Sequence, residues 1–204
     1  MPDHYFTENP QSEERRMTIQ ANLNGHTFTF HTSTGVFSKN TIDFGTKTLI
    51  ETFTAPSIKG DILDLGCGYG PIGIAIAKRY KDRSVTLVDL NERAVDLAQI
   101  NVRENNIMNA TVLQSDRFTE LKDKRFAAIL TNPPIRAGKK VVYALFKESF
   151  AHLHENGELW VVIQKKQGAP SAISFLSSIY TTVETVKRKK GYFIIRAIKG
   201  KNLT

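Results

Sequence analysis

The chain has few of the features that mark secreted, membrane or metal-binding proteins. Cys67 is the only cysteine among 204 residues, which excludes an internal disulfide and fits a reducing compartment. No apolar run approaches the roughly 20 residues needed to cross a bilayer, and the opening MPDHYFTENPQSEERR lacks the apolar core of a signal peptide. The five histidines have no metal-ligand spacing with acidic or cysteine partners. We therefore expect a soluble, cytoplasmic protein with no membrane or metal partner.

The length and the charge of the chain further narrow the classes of protein to which it can belong. A chain of 204 residues with 41% hydrophobic content suits one sizeable domain. The formal net charge is +8, and residues 132–204 hold thirteen Lys or Arg against four Glu, so the part before them is close to neutral. Such a one-sided positive charge fits a polyanion such as RNA, and it fits equally a lysine-rich face that only meets solvent.

The pattern of apolar residues divides the chain near residue 58. Residues 17–23 and 26–32 alternate apolar and polar side chains around Asn24-Gly25, a pair typical of a type I′ hairpin turn. A loop over residues 35–47 leads into a predicted helix, residues 46–53, and together these form an N-terminal extension, residues 1–58. Residues 59–204 are predicted to form one compact unit.

Strands and helices alternate within residues 59–204. The predicted strands are residues 61–65, 84–90, 110–113, 126–131, 158–164 and 192–198, and the predicted helices are 71–80, 92–105, 141–152 and 171–178. Strands separated by helices of about ten to fifteen residues indicate a parallel sheet with helices on both faces. Ligands bind such sheets beyond the carboxyl ends of the strands, so the site is expected there.

Three strand ends carry residues suited to a nucleoside. The first ends in the turn DLGCGYG, which is G-x-G-x-G and departs from the G-x-G-x-x-G pattern for dinucleotides. Asp89 ends the second strand and can accept hydrogen bonds from both ribose hydroxyls, and Asp116 follows the third, where it can accept from an adenine amine. Singly, each has a plainer interpretation as a tight turn, a helix start or a turn residue. Together they predict a site for an adenosine without a phosphate chain, formed by Asp64, Gly66, Gly68, Gly70, Asp89, Leu90 and Asp116.

The fourth strand is followed by NPPIRAGKK, residues 132–140. Its two prolines fix φ near about −65° and restrict the residues before them, so the loop is rigid. One interpretation is a turn that stops a strand, followed by a solvated helix start. The other is a rigid set of hydrogen-bond acceptors that are already oriented toward a ligand, followed by cationic side chains that contact phosphates.

These motifs, in this order, resemble those of class I S-adenosylmethionine-dependent methyltransferases: DILDLGCGYGPIGIAIA, VTLVDLN, QSD and TNPP. With GVFSKNTIDFGTKTLIE upstream and NPPIRAGKK, the chain resembles the family of small-subunit ribosomal RNA guanine-N2 methyltransferases. The resemblance implies a Rossmann-like α/β fold with a seven-stranded, mostly parallel sheet, an antiparallel last strand and an N-terminal β-hairpin. It implies S-adenosyl-L-methionine as cofactor and ribosomal RNA, or the small ribosomal subunit, as partner.

The resemblance also assigns roles. In methyltransferases of planar nitrogen, the Asn side-chain oxygen and the next Pro carbonyl accept hydrogen bonds from the amine, and these roles fall on Asn132 and Pro133. Ile135 stands where adenine and glutamine methyltransferases usually have an aromatic residue, which favours guanine. The predicted substrate-binding residues are Phe37, Phe44, Pro134, Ile135, Arg136, Lys139 and Lys140.

Two other functions stay open at this point. The first is methylation of another planar nitrogen, in protein glutamine, adenine or a small molecule. The second is an RNA-binding or assembly factor that keeps the pocket without turnover. Some members of the family carry a second, degenerate copy of the domain, for which 204 residues leave no room. RNA recognition is therefore expected to rest on the hairpin, the basic carboxyl half or a second subunit, and the oligomeric state is not indicated.

Overall fold

The computed structural model describes residues 16–34 and 41–201. It begins with an antiparallel hairpin of β1 (Arg16–Leu23) and β2 (His26–Ser33). Asn24 and Gly25 have φ values of 50° and 78°, the left-handed conformation that both central residues of a type I′ turn require. The predicted N-terminal hairpin and its turn are confirmed.

The remaining elements alternate as predicted, apart from one additional strand, β8 (Thr182–Lys189). They are α1 (Phe44–Thr52), β3 (Ile62–Leu65), α2 (Pro71–Arg79), β4 (Val85–Asp89), α3 (Glu92–Glu104), β5 (Ala110–Gln114), β6 (Phe126–Thr131), α4 (Lys139–Ala151), β7 (Leu153–Gln164), α5 (Ala169–Ser177), β8 (Thr182–Lys189) and β9 (Tyr192–Ile198). Short 3₁₀ turns lie at Thr119–Leu121, Ile135–Ala137 and Lys165–Gln167. None of the helices among the described residues has the length and apolar content to cross a membrane.

The large sheet has seven strands in the order β5-β4-β3-β6-β7-β9-β8. The strands from β5 to β7 pair in parallel, and β9 is antiparallel to both of its neighbours. Successive side chains of β3 point to opposite faces, so Ile62 packs with α1, α2 and α3 while Leu63 packs with α4 and α5. The predicted Rossmann-like fold with an antiparallel last strand is confirmed.

The edge strand β8 is the element that the apolar pattern did not reveal. Its sequence TVETVKRK is largely exposed, and lysines at an exposed edge discourage pairing with another chain. A run of lysines before a strand is typical of a solvated segment. In the structure they end a strand that pairs with β9 along its length.

Asn101 in α3 and Asn105 at the C-terminal cap of this helix join the hairpin to the rest of the chain. The side chain of Asn101 is fully buried, with Oδ1 accepting from the His31 N–H at 2.7 Å and Nδ2 donating to the carbonyls of His31 (2.9 Å) and Tyr69 (2.8 Å). One turn later, Asn105 exchanges two hydrogen bonds with the backbone of Thr29. The hairpin is thus tied to the turn after β3, and the division of the chain at residue 58 stays a prediction.

We expect the substitution Asn101→Ala to lower the free energy of unfolding by about 1–3 kcal/mol, because it removes three hydrogen bonds between the buried Asn101 side chain and the backbone of His31 and Tyr69. Urea denaturation followed by circular dichroism measures the change. Asn22→Ala, on the exposed face of β1, is the matched control. Equal stability of the two variants would contradict the prediction.

Candidate functional site

A cavity of about 750 Å³ opens at the carboxyl ends of β3, β4, β5 and β6. Its wall is formed by the turn after β3, the end of β4, the turn after β5, the loop after β6 and the beginning of α4. Residues of α1, α2, α3, β7 and β9 also contribute to it. This is the edge at which open α/β sheets bind ligands, and the volume is in the range of small-molecule sites.

The turn after β3 brings bare backbone to the cavity. Gly66 and Gly68 line the wall with φ values of 74° and 56°, and a Cβ on Gly66 would meet no heavy atom within 4 Å. A ligand can therefore lie directly against the main chain. Cys67 between them is buried, and its burial raises the pKa of the thiol, so it remains a neutral filler.

Asp89, at the end of β4, faces this turn. Its Oδ2 accepts from the Gly68 N–H at 2.8 Å and its Oδ1 from the Asn91 N–H at 2.9 Å. These bonds occupy two of the roughly four lone-pair positions of a carboxylate, so the group can still accept from two hydroxyls of a ligand. Burial raises the pKa of Asp89, and the backbone donors act against that rise.

Asp64 has a different position from the one predicted. Its side chain is 1% exposed and does not belong to the cavity wall; its Oδ2 accepts from the Gly73 N–H at 2.8 Å inside the first turns of α2. Burial raises the pKa of Asp64 to about 7, although the hydrogen bond from Gly73 opposes the rise. In the structure this carboxyl group anchors α2 beneath the glycine turn.

The Asn132 side chain is oriented by residues of the N-terminal segment. Its Nδ2 donates to Thr46 Oγ1 at 3.0 Å and to Asp43 Oδ2 at 3.5 Å. A carboxylate only accepts hydrogen bonds, so the NH₂ of the amide must point toward Asp43 and the oxygen away from it. No described residue donates to Asn132 Oδ1, which leaves this acceptor available at the cavity wall.

The loop after Asn132 is folded on itself. The Pro133 carbonyl accepts from the Ile135 N–H at 2.8 Å, and the Pro134 carbonyl from the Ala137 N–H at 2.9 Å. Since a carbonyl oxygen has two lone pairs, Pro133 can accept a second hydrogen bond from a ligand. At the strand end before the loop, the Thr131 hydroxyl donates to the Leu65 carbonyl at 2.8 Å, which links this loop to the glycine turn.

The structure brings most of the predicted site residues to one cavity. Those on its wall are Gly66, Gly68, Asp89, Leu90, Asp116, Asn132, Pro133, Pro134, Ile135, Arg136 and Lys140. Four described residues lie off the wall: Asp64, Gly70, Phe44 and Lys139. Phe37 lies outside the described residues.

The residues off the wall have other contacts. Gly70 precedes α2 with φ of 95°, and a Cβ there would lie 3.0 Å from Ile74. The ring of Phe44 packs 5.8 Å from that of Tyr192 and lies under the Lys190 ammonium. Lys139 Nζ is 5.2 Å from the ring centre of Tyr143. The predictions of stacking by Phe44 and phosphate binding by Lys139 therefore have no support from the cavity geometry.

Sequence reasoning missed Asp43, Thr46, Gln164 and Tyr192, all of which line the cavity. Asp43 also caps α1, since its Oδ1 accepts from the Thr46 N–H at 3.0 Å, and an acidic residue before a helix is a signal that the sequence does give. The sequence gives no such signal that Tyr192 lines the cavity. Its ring covers Gly45 so closely that a Cβ there would be 2.5 Å from the Tyr192 ring.

Comparison with known proteins agrees with this geometry. The model of the methyltransferase small domain family matches residues 27–196. Protein YbxB of Bacillus subtilis is 50% identical over 200 residues, which cover 98% of this chain and all of that one. Ribosomal RNA small subunit methyltransferase C of Haemophilus influenzae (strain PittGG) is 37% identical over 138 residues, covering 66% of this chain and 41% of the relative.

A solved structure matches over most of the chain. The 16S rRNA N2 G1207 methyltransferase of T. thermophilus, in complex with AdoMet and guanosine, has a TM-score of 0.81 at 26% identity and covers 93% of this chain. The match extends over 52% of that protein, so this chain spans about half the length of the ribosomal RNA methyltransferases that it resembles.

The seven-stranded sheet and the cavity beside its glycine turn define a class I S-adenosylmethionine-dependent methyltransferase. With the family model matching residues 27–196, the chain belongs to the methyltransferase small domain family. Its residues fit S-adenosyl-L-methionine: the open space at Gly66 accommodates a ligand against the backbone, and Asp89 has acceptors for a ribose. Among the described residues, no group of three or more His, Cys, Asp or Glu side chains could hold a metal ion.

We expect Asp64→Asn to reduce the dependence of stability on pH. Because the folded-state pKa of about 7 lies above the ordinary 3.8, the stability that protonated Asp64 contributes is complete below about pH 4 and is lost as the pH rises to about 7. Over that window the wild-type free energy of unfolding should fall, relative to the variant, by up to about 1.4 kcal/mol per pH unit. Asparagine keeps an acceptor for the Gly73 N–H, so the fold is retained.

Denaturant titrations between pH 4 and pH 8 measure this difference. Asp61→Asn, which removes a carboxylate from an exposed position just before the same strand, is the matched control. Parallel pH profiles for the wild type and the Asp64 variant would show that Asp64 does not change its protonation on unfolding.

Proposed function

We propose that this chain transfers a methyl group from S-adenosyl-L-methionine to the N2 amine of a guanine in small-subunit ribosomal RNA. The observation that carries the proposal is the orientation of Asn132. Its NH₂ group is occupied by Thr46 and Asp43, so its oxygen is available to accept from an amine in the cavity. The Pro133 carbonyl, one residue further, has a second lone pair for the other N–H.

Two acceptors address the chemical difficulty of this reaction. The lone pair of an exocyclic base amine is delocalised into the ring, which makes the nitrogen a weak nucleophile. Holding both N–H groups at Asn132 and Pro133 favours the pyramidal nitrogen, in which the lone pair is localised, and prior alignment lowers the barrier further. The cofactor, when bound, supplies an electrophilic methyl group on a sulfonium sulfur. The alkylated nitrogen is acidic and loses its proton without a strong base.

The choice of guanine in ribosomal RNA has two kinds of support. Matched relatives carry the names ribosomal RNA small subunit methyltransferase C and 16S rRNA N2 G1207 methyltransferase, the latter solved with guanosine. In this chain Ile135 lines the cavity where amino-adenine and glutamine enzymes usually have an aromatic residue, and Arg136 and Lys140 add positive charge to the wall. The chain spans about half the length of those relatives.

Mass mapping of nucleosides in small-subunit ribosomal RNA tests the proposal. Cells that lack this protein should lose one N2-methylguanosine, and the wild-type chain should restore it while Asn132→Ala should not. If every N2-methylguanosine persists in the deletion strain, guanine in this RNA is not the substrate. If Asn132→Ala restores all cellular phenotypes, the chain acts as a binding or assembly factor instead.

We also expect Thr46→Val to lower kcat by up to about tenfold, since it removes the closer of the two hydrogen bonds that orient Asn132. Steady-state methylation of the RNA, with cofactor affinity measured by calorimetry, separates orientation from binding. Cofactor affinity should stay near the wild-type value. Thr48→Val in the same helix, whose hydroxyl donates only to the Phe44 carbonyl, is the control and should keep kcat within about twofold. A normal kcat for Thr46→Val would exclude the positioning role.

A further inference from the structure

A second concave surface adjoins the cavity. It has a volume of about 580 Å³ and is lined by Gln164, Lys165, Lys166, Lys190 and Gly191, and we call it the lysine groove. Gln164 lines both the groove and the cavity, so the two lie side by side at this residue. The proposed function assigns no role to this groove.

The walls of the groove are fixed by backbone pairing. Gln164 ends β7 opposite Tyr192, the first residue of β9, and the Lys165 N–H donates to the Gly191 carbonyl at 2.8 Å. One wall is therefore the 3₁₀ turn after β7, and the other is the tight turn between β8 and β9. Since the first turn follows β7, the second leads into β9, and these two strands pair with each other, the sheet sets the distance between the two turns.

The groove carries positive charge without local compensation. Lys165, Lys166 and Lys190 are exposed, and among the described residues none of them forms an ion pair. No lining residue is acidic, and none has a large apolar side chain. The Lys190 ammonium lies 4.8 Å from the ring centre of Phe44, a cation–π contact that places it above the beginning of α1.

We infer that the lysine groove binds the phosphates of single-stranded RNA next to the target nucleotide. The inference rests on the proposed function, because a guanine whose amine reaches Asn132 must leave its stack and enter the cavity. Its flanking backbone then has to cross the cavity rim, and the lysine groove lies beside that rim at Gln164. A protein partner fits less well, since the lining lacks the aromatic and apolar anchors that such interfaces contain.

The test is a variant with three substitutions, Lys165→Gln, Lys166→Gln and Lys190→Gln. Binding of a fluorescent single-stranded oligoribonucleotide is measured by anisotropy over a series of salt concentrations, without cofactor. Each lost phosphate contact lowers the slope of log affinity against log salt by about 0.7, so a fall of about 2 is expected. In steady-state methylation, KM for RNA should rise at least tenfold, while kcat and the affinity for S-adenosyl-L-methionine stay unchanged.

The matched control removes the same number of positive charges at the opposite ends of the strands. Lys59, Lys81 and Lys124 are exposed and precede β3, β4 and β6, at the amino ends of the strands. Their combined change to Gln should leave the salt slope and KM near the wild-type values. Equal losses of RNA affinity in both triple variants would mean that only the total charge of the protein matters, which would contradict the inference. Unchanged RNA affinity in the groove variant would refute it directly.

The outcomes distinguish this inference from the proposed function. If the groove variant loses RNA binding but the wild type methylates no guanine, the groove binds RNA and the proposed reaction is wrong. If the wild type methylates guanine and the groove variant behaves identically, the reaction stands and the groove inference is wrong. Loss of binding to assembled small subunits with unchanged binding to free RNA would assign the groove to a ribosomal protein and overturn the inference.

Discussion

The position of β3 between β4 and β6 is the constraint on which the site depends. Asp64 pairs with Leu87 on one side and with Leu130 on the other, so the three strands run in parallel and end at one edge. All of β3 and β6 is buried, and a shift of one residue would turn every core side chain to the wrong face. This register therefore brings the glycine turn, Asp89 and Asn132 together, although they are distant in sequence.

The N-terminal segment completes this arrangement. Helix α1 packs against the sheet with Gly45 under the ring of Tyr192, and its first turn supplies the hydrogen bonds that orient Asn132. The contact between Gly45 and Tyr192 leaves no room for a side chain, so the helix approaches closely enough for Thr46 to reach the loop after β6. The orientation of the acceptor at Asn132 is thus a product of tertiary packing between two ends of the chain.

Most of the fold could be predicted because the signals are local. Alternating apolar runs with glycine and proline at their ends indicate strands and helices within short windows, and the strand-end rule then places Gly66, Asp89 and Asn132 at one edge. Contacts between distant residues leave no such signal: Thr46 and Asn132 are 86 residues apart. Asp64 belongs to the same motif as Gly66, yet its side chain is turned into the interior, and the motif alone does not reveal that. The edge strand β8 was not predicted from the sequence, because an exposed, charged strand lacks the alternation of apolar and polar residues that marks a half-buried one.

The charged residues of the cavity and of the lysine groove suit two different ligands. Carboxyl groups of Asp43, Asp89 and Asp116 line the cavity, where a cofactor with a sulfonium and an ammonium group binds. Burial raises the pKa of Asp89, and a ligand that donates hydrogen bonds and brings positive charge favours its ionised form. Arg117, Arg136 and Lys140 on the wall balance the three carboxyl groups, so the cavity offers a polyanion no surplus of positive charge, whereas the lysine groove beside Gln164 does. Only the base then has to enter the cavity. The Asn132 side-chain oxygen is oriented to accept a hydrogen bond from its neutral amine.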